Sequence, residues 1–444
     1  MKIEVTLGKF GTGKRLFTLM MSVIATITAD SLIGIIADFI PVQLSSRSGV
    51  FVFILIAVIL AITQYLILNY IKQSNKETRK RERAFYLQKL HTGVSLAQYT
   101  IITIITTVIL QVLFLQQYST VFLFIIHAIS YGLWIITLAL LARAFFSWYV
   151  SSNKNLVVLI FALAMVAYVV NGMAALATSL DMLMQQKPVV TFNDVSYFPE
   201  FSIQSIGSQI GLVSQIASTA AYILTWIGTV KMLYPYVKKL GKIKFWIIMS
   251  AAMIYYLISF PLFVLGYFTP SENVDAMTNV LIFSFAGIMS GIIFGAAFLS
   301  VARTLHKDSD LRNYMILAAY GFVLFYISGS AMAAQAAYPP YGIISVSLVG
   351  LSCYLIYVGL YSSAVTVSQD TTLRLAIRKS VTEQARFLDS MGSAQMEQEL
   401  QSTVVKIMKK HSDVLTEKTG VKSSMTESDI KEYMAMVMDE IHKP

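Results

Sequence analysis

The sequence contains few charged residues and almost no cysteine. Asp, Glu, Lys and Arg make up 13% of its 444 residues, and 56% are hydrophobic, whereas about 25% of the residues in a soluble globular protein are charged. So low a charged fraction over so long a chain excludes an ordinary soluble enzyme, and the hydrophobic content excludes a disordered chain. Because Cys353 is the only cysteine, an intrachain disulfide and a cysteine-based zinc site are also excluded.

The sequence also lacks the motifs of common enzymes. It has no H-E-x-x-H zinc motif and no G-x-S-x-G nucleophile motif. No cluster of carboxylates and histidines lies in its hydrophobic segments. We therefore expect no enzymatic activity, no cofactor and no bound metal.

Long hydrophobic runs dominate what the sequence does contain. A bilayer core of about 30 Å needs roughly 20 apolar helical residues, and helix satisfies every backbone polar group within its own segment. We predict an all-α polytopic membrane protein, with about ten transmembrane helices in residues 1–369 and a helical cytoplasmic tail at 370–444. The predicted spans are 16–38, 50–71, 96–115, 119–142, 155–179, 209–231, 245–268, 279–302, 314–337 and 342–366.

The net charge of +10 is explained by membrane topology, so we expect no nucleic-acid partner. With the N-terminus inside, the inner segments of residues 1–369 hold 21 Lys and Arg, whereas the outer segments hold only Arg47 and Lys187. The positive-inside rule then predicts a multi-pass protein of the cell membrane with both termini in the cytoplasm. One alternative concerns residues 16–29, which could be a cleaved signal peptide, although the apolar run is long for one.

Four polar residues inside the predicted spans are candidates for ligand or ion binding. A carboxylate such as Asp30 is costly in lipid unless it faces a cavity or a partner; alternatively, the first span ends early and Asp30 lies at the outer interface. His127 could relay protons or contact a ligand, or it could be a neutral imidazole bonded to a neighbouring helix. Asn171 and Gln335 could line the same site or could simply join helices by hydrogen bonds.

A weak internal repeat suggests that spans two to five match spans six to nine in the same orientation. Parallel repeats of this kind occur in transporters and place the binding site where the repeats meet. The alternative is a chance similarity between apolar helices. The matching residues are Ser130 with Ser290, Asn155 with Asn313, Leu159 with Leu317, Tyr168 with Tyr326, and Ala175 with Ala333.

Two segments outside the spans have patterns of their own. The outer segment 181–208 holds three aromatic residues and could be a lid or plug over an external opening, or an ordered surface loop. The tail after Asp370 has helical apolar faces that need a partner: another helix, the membrane surface or another protein. A cytosolic protein is therefore a candidate partner of residues 380–444.

Three motifs lie near the C-terminus: Tyr338-Pro-Pro-Tyr-Gly, Val367-Ser-Gln-Asp370 followed by Leu373-Arg374, and Asp389-Ser-Met-Gly-Ser-Ala-Gln-Met396. In these motifs the chain resembles uncharacterised multi-spanning membrane proteins of ammonia-oxidising archaea. The resemblance covers the last two spans and the tail, about a quarter of the chain. It implies no activity or site, but it implies a single-membrane envelope in which the outer segments face the cell exterior.

Three classes of function follow from these features. A transporter or permease for a small solute or ion is the first, because of the number of spans, the repeat and Asp30. A membrane sensor is the second, because the last span continues into the amphipathic tail. A non-catalytic subunit of a membrane complex is the third, because polar chemistry within the spans is sparse.

Overall fold

The computed structural model describes most of the chain. Its helices and strands lie within the residue ranges 47–74, 84–115, 117–151, 155–185, 189–191, 206–253, 273–305, 309–335, 343–378 and 383–419, and five further residues (18, 21, 22, 24 and 25) are described near the N-terminus.

The described chain is almost entirely helical, as predicted. Its helices are α1 (Arg47–Ser74), α2 (Ala84–Leu115), α3 (Thr120–Ser151), α4 (Leu156–Gln185), α5 (Ile206–Leu233), α6 (Val237–Leu240), α7 (Lys242–Ala251), α8 (Asn273–Thr304), α9 (Asp310–Gln335), α10 (Ile343–Gln369), α11 (Thr371–Arg378) and α12 (Glu383–Thr419).

Eight of these helices, α1 to α5 and α8 to α10, are long and apolar enough to cross a membrane. They correspond to eight of the ten predicted spans. Most of the first predicted span, 16–38, and most of the seventh, 245–268, lie outside the described residues. The chain is therefore an integral membrane protein with at least these eight candidate spans.

The exposed faces of helices α1 and α2 are suited to contact with lipid hydrocarbon chains. On α1, Phe51, Leu55, Val58 and Ile62 are exposed at helical spacing. Threonines on the exposed face of α2 donate hydrogen bonds to carbonyl oxygens four residues earlier, as Thr103 does to Tyr99 at 2.9 Å. Such bonds satisfy hydroxyl groups that have no water to bond in lipid.

Six helices form a closed ring in the order α3, α4, α5, α8, α9, α10 and back to α3. Aromatic side chains meet across its interior: Phe325 of α9 lies 5.2 Å from Tyr168 of α4 and 5.3 Å from Trp134 of α3, measured between ring centroids. Outside the ring, α2 packs against α3 and α10, and α1 packs against α2.

Helix α10 is the most deeply buried helix of the ring, with 94% of its candidate membrane span buried. Glycines let its neighbours approach closely. A Cβ added at Gly359 would lie 2.5 Å from the backbone nitrogen of Ala318 on α9, and one at Gly350 would lie 2.8 Å from the carbonyl oxygen of Ser130 on α3. These contacts leave no room for a side chain at either position.

Helix α12 lies against one end of the ring, which we call the tail end. Its Gln384 donates hydrogen bonds to the carbonyl oxygen of Met232 on α5 (3.1 Å) and to Ser300 on α8 (2.9 Å). Its Gln395 accepts one from the indole of Trp148 on α3 (3.0 Å). The first turns of α12 therefore cover the ends of several ring helices.

A short two-stranded antiparallel sheet lies at the opposite end of the ring. Strand β1 (Gln117–Ser119) joins α2 to α3, and it pairs with strand β2 (Val189–Thr191), which follows α4. Part of segment 181–208, which was predicted to be an outer loop, is thus attached to the α2–α3 connection; residues 186–188 and 192–205 lie outside the described part.

Candidate functional site

Five hydroxyl side chains from four helices meet inside the ring. They are Tyr168 on α4, Tyr222 and Thr225 on α5, Ser290 on α8 and Tyr326 on α9, and we call them the hydroxyl cluster. Tyr168, Tyr222, Thr225 and Ser290 are buried, and Tyr326 is partly buried. Buried hydroxyl groups need hydrogen-bond partners. Here Thr225, Tyr222 and Ser290 donate to backbone carbonyl oxygens, whereas Tyr168 and Tyr326 bond within the cluster.

Part of the cluster is a chain of hydrogen bonds with a defined direction. Thr225 donates its only hydroxyl hydrogen to the carbonyl oxygen of Ala221 at 2.8 Å. The contact of 3.2 Å between the Tyr168 hydroxyl and Thr225 Oγ1 therefore has Tyr168 as the donor, because each hydroxyl has one hydrogen. Tyr326, whose hydroxyl contacts that of Tyr168, is then the donor to Tyr168.

Tyr222 and Ser290 form the second part of the cluster. The Tyr222 hydroxyl donates to the carbonyl oxygen of Ala252, beyond the end of α7, and contacts Ser290 Oγ. The Tyr222 ring lies 5.9 Å from the Tyr326 ring, in a T-shaped arrangement. Phe294 lies against both rings, 5.4 Å from Tyr222 and 4.9 Å from Tyr326. Edge-to-face packing of this kind fixes the orientation of the rings.

Four more polar groups that the structure describes on the ring helices are buried without a hydrogen-bond partner. They are the Trp134 indole nitrogen on α3, Thr229 Oγ1 on α5, Ser328 Oγ on α9 and Ser362 Oγ on α10. Trp134 packs on Phe325, which packs on Tyr168, and Thr229 lies one helical turn from Thr225. An unpaired buried polar group costs about 1–3 kcal/mol. A polar molecule inside the ring would relieve this cost by bonding to such groups.

The described ring interior is polar but uncharged. Among the residues whose side chains the structure describes, no buried one is Asp, Glu, Lys or Arg. Burying an ion without an opposite charge is expensive, whereas hydroxyl groups and aromatic faces can accept a small uncharged polar molecule.

The hydroxyl cluster is separated from the tail end by a layer of phenylalanines. Phe145 of α3, Phe161 of α4, Phe298 of α8, Phe322 of α9 and Phe387 of α12 are all fully buried, and we call them the phenylalanine cluster. Phe387 lies 5.8 Å from Phe161 and 6.4 Å from both Phe145 and Phe298, measured between ring centroids. Helix α12 thus contributes one of the rings that close the tail end.

The structure gives His127 and Asn171 separate partners. Nδ1 of His127 donates to the carbonyl oxygen of Leu123 in the same helix at 2.8 Å, and its ring stacks on Tyr131. Asn171 accepts a hydrogen bond of 2.8 Å from Ser214, which joins α4 to α5. These two candidates do not bond to each other, and their role in binding stays a prediction.

The structure does not test the predicted binding roles of the other two candidates, Asp30 and Gln335. Asp30 lies outside the described residues, and Gln335 is the last residue of α9, with its side chain outside the described part. Elsewhere in the described chain, no group of three or more His, Cys, Asp or Glu residues is placed to hold a metal ion.

None of the five residues of the hydroxyl cluster is among the four binding candidates predicted from the sequence. Tyrosine and threonine are common in membrane helices, so Tyr222 and Thr225 carry no signal of their own. The internal repeat was the signal that pointed to the others, since it matches Tyr168 with Tyr326 and Ser130 with Ser290. The tyrosines that occupy matching positions are the two whose hydroxyls meet.

Comparisons with known proteins add no relative to this chain. No protein-family model, no curated protein and no solved structure matches it.

Proposed function

We propose that the chain is a transporter or permease for a small, uncharged polar solute, with the hydroxyl cluster as the centre of the pathway. We further propose that it lies in the cell membrane with the tail end in the cytoplasm. The contact that carries the proposal is that between Tyr168 and Tyr326, in the interior of a closed ring of helices.

The arrangement of the two helix pairs supports this proposal. Helices α3 and α4 form one antiparallel pair and α8 and α9 the other, and both pairs belong to the ring. If the repeat is real, Tyr168 and Tyr326 are equivalent positions on its two halves, where a transporter built from parallel repeats holds its substrate. The state described here is closed at the tail end by the phenylalanine cluster.

Osmotic relaxation of proteoliposomes tests the proposal without a labelled substrate. After a hyperosmotic step with glycerol, urea or ribose, stopped-flow light scattering follows entry of the solute. We expect faster entry of at least one of these solutes than in protein-free liposomes, and slower entry with Tyr326→Phe. Tyr65→Phe, at an exposed position on α1, is the matched control. Equal rates with and without the protein for every solute would contradict the proposal.

A membrane sensor is the second candidate, and the contact between α12 and the ring favours it. Because Gln384, Phe387 and Gln395 of α12 are buried against ring helices, a shift of those helices would change how α12 is held. The second half of α12 would then present that change to a cytosolic protein.

A truncation after Gln401 tests the sensor proposal without opening the ring. It keeps the buried part of α12 and removes residues 402–444, so the ring remains covered. A sensor should lose a co-purifying partner on truncation while its membrane domain keeps its melting temperature. If the full-length chain never retains a partner under gentle solubilisation, the sensor proposal fails.

A further inference from the structure

A cleft of 640 Å³ lies at the tail end, between α12 and the ring. It is formed by the start of α4, the end of α5 and the first turns of α12. Its polar lining includes Asn155, Lys231, Tyr234, Arg386 and Ser390.

The charges that line the cleft are mainly positive. Lys231 of α5 and Arg386 of α12 come from the two helices on either side of it. The one acidic residue of the lining, Asp389, pairs with Arg378 at 3.0 Å and also accepts a hydrogen bond from Ser393. Because two cations and one carboxylate line the cleft, its described lining has a net positive charge.

The N-terminus of α4 lies at the cleft, where it favours an anion. Asn155 caps α4: its Oδ1 accepts a hydrogen bond of 2.9 Å from the Val157 backbone, and its Nδ2 donates one of 3.0 Å to Ser390. The positive end of the α4 dipole therefore lies at the cleft. Tyr234 adds an exposed side chain with a hydroxyl group. Cations, hydroxyls and a helix N-terminus are the groups that bind phosphate in proteins.

We infer that this cleft binds a phosphate group and that the bound phosphate joins α12 to α5. The ligand chemistry is a phosphate monoester or diester held between Lys231 and Arg386. It has two sources at a membrane surface: the headgroup of an anionic phospholipid or a soluble phosphate compound. This inference does not depend on the proposed transport function.

Thermal unfolding of the full-length protein in an uncharged detergent tests the binding. Inorganic phosphate is titrated against chloride at constant ionic strength, because screening weakens any charge interaction. A ligand that binds only the folded state raises the melting temperature with concentration. We expect Lys231→Gln and Arg386→Gln each to weaken phosphate binding about tenfold, the loss of one charge-assisted contact.

Lys238→Gln is the matched control, because it removes the same charge from α6, outside the cleft lining. Lys231 is partly buried and Arg386 is exposed, so Arg386→Gln remains informative if Lys231→Gln does not fold. Equal weakening by Lys238→Gln, or unchanged binding in Arg386→Gln, would overturn the inference.

A second measurement distinguishes a lipid headgroup from a soluble phosphate, because it follows the accessibility of the cleft itself. Leu156 lines the cleft and is 52% exposed, whereas the native Cys353 is fully buried, so Leu156→Cys places one reactive thiol there. The rate of its maleimide labelling is measured in nanodiscs of phosphatidylcholine, in nanodiscs that also contain phosphatidylglycerol, and in phosphatidylcholine nanodiscs with added inorganic phosphate. Leu240→Cys, outside the cleft, is the control.

If phosphatidylglycerol slows labelling of Leu156→Cys but not of Leu240→Cys, the inference is supported and the source of the phosphate is a lipid headgroup. Slower labelling with inorganic phosphate supports it with a soluble phosphate. The inference is overturned if neither phosphatidylglycerol nor inorganic phosphate changes the labelling rate and phosphate does not raise the melting temperature.

Discussion

The indole nitrogen of Trp148 donates a hydrogen bond of 3.0 Å to Oε1 of Gln395, and both side chains are buried. The two residues are 247 positions apart in the sequence. The bond ties the end of α3 to the first half of α12, so that half of the tail helix is part of the packed structure. It also makes the contact between α12 and the ring testable with single substitutions.

Gln395→Leu should loosen α12, because it leaves the buried Trp148 indole without an acceptor. An unsatisfied buried donor costs about 1–3 kcal/mol, so trypsin should cleave α12 faster and the melting temperature should fall. Replacing both partners, Trp148→Phe with Gln395→Leu, should recover part of the loss. Gln401→Leu, at a partly buried position on the same helix, is the control and should change neither measurement.

Phe387→Ala should detach the first turns of α12 from the ring. Removing a fully buried aromatic ring costs about 3–5 kcal/mol, and Phe387 contacts three other rings of the phenylalanine cluster. Limited proteolysis followed by mass spectrometry should show new cleavage near Arg386. Leu400→Ala removes a side chain that is 46% exposed on the same helix; a similar effect from it would mean that Phe387 is not the anchor.

The contact that α12 makes with the ring could not be predicted from the sequence. In the sequence, Met396, Leu400, Val404, Ile407 and Met408 form one apolar helical face, but the Leu400 and Ile407 side chains are 46% and 52% exposed. The buried face lies earlier, at Phe387, Met391 and Gln395. Small and polar residues such as Gly392 and Gln395 weaken the apolar pattern of that face, although they allow close packing and buried hydrogen bonds.

The membrane spans, by contrast, were predictable, because a run of about 20 apolar residues has few alternatives to a membrane helix. Which helices become neighbours was not predictable, since a helix that is apolar all round gives no preferred face. The pairing of β1 with β2 was also missed. Residues 117–119 are too few for a period-2 pattern to distinguish a strand from a turn.

Gly359→Ala should destabilise the contact between α10 and α9. The added Cβ would lie 2.5 Å from the backbone nitrogen of Ala318, and forcing extra volume into a packed core costs about 1–3 kcal/mol. Gly132→Ala is the control, because a Cβ there meets nothing within 4 Å and alanine favours helix by up to about 1 kcal/mol. The melting temperature should fall for Gly359→Ala and stay equal or rise for Gly132→Ala; the opposite order would contradict this packing.

Asp370 should make the start of α11 sensitive to acid. Its carboxylate accepts hydrogen bonds from the Thr372 side chain at 2.6 Å and from the Thr372 and Leu373 backbone at 2.9 and 3.0 Å. The bond from the Thr372 hydroxyl, and then that from the Leu373 backbone, hold the pKa of Asp370 below its ordinary value. The stabilisation is therefore complete above that ordinary value, near pH 3.9, and is lost as the pH falls through the lowered pKa.

Two substitutions separate the charge of Asp370 from its capping role. Asp370→Ala should cost about 1 kcal/mol at neutral pH, because it removes the helix cap. Asp370→Asn should keep most of the stability that the cap provides, since asparagine also caps helices well. It should lose the part of that stability that depends on the ionised carboxylate. Melting temperatures between pH 3 and pH 7 compare the three proteins. If the wild-type and Asp370→Asn curves stay parallel through the acid range, the ionised carboxylate does not contribute to the cap.

Tyr168→Phe and Tyr326→Phe should each destabilise the protein by about 0.5–1.5 kcal/mol, the net value of a typical hydrogen bond. Because both substitutions remove the same hydroxyl–hydroxyl contact, the double variant should lose less than the sum of the single variants. Unfolding of all four proteins in one detergent, with Tyr65→Phe as an exposed control, measures this coupling. Additive losses would show that the two hydroxyls act independently. A coupling of more than about 0.5 kcal/mol would instead mean that α4 and α9 are held together at the centre of the ring by this pair.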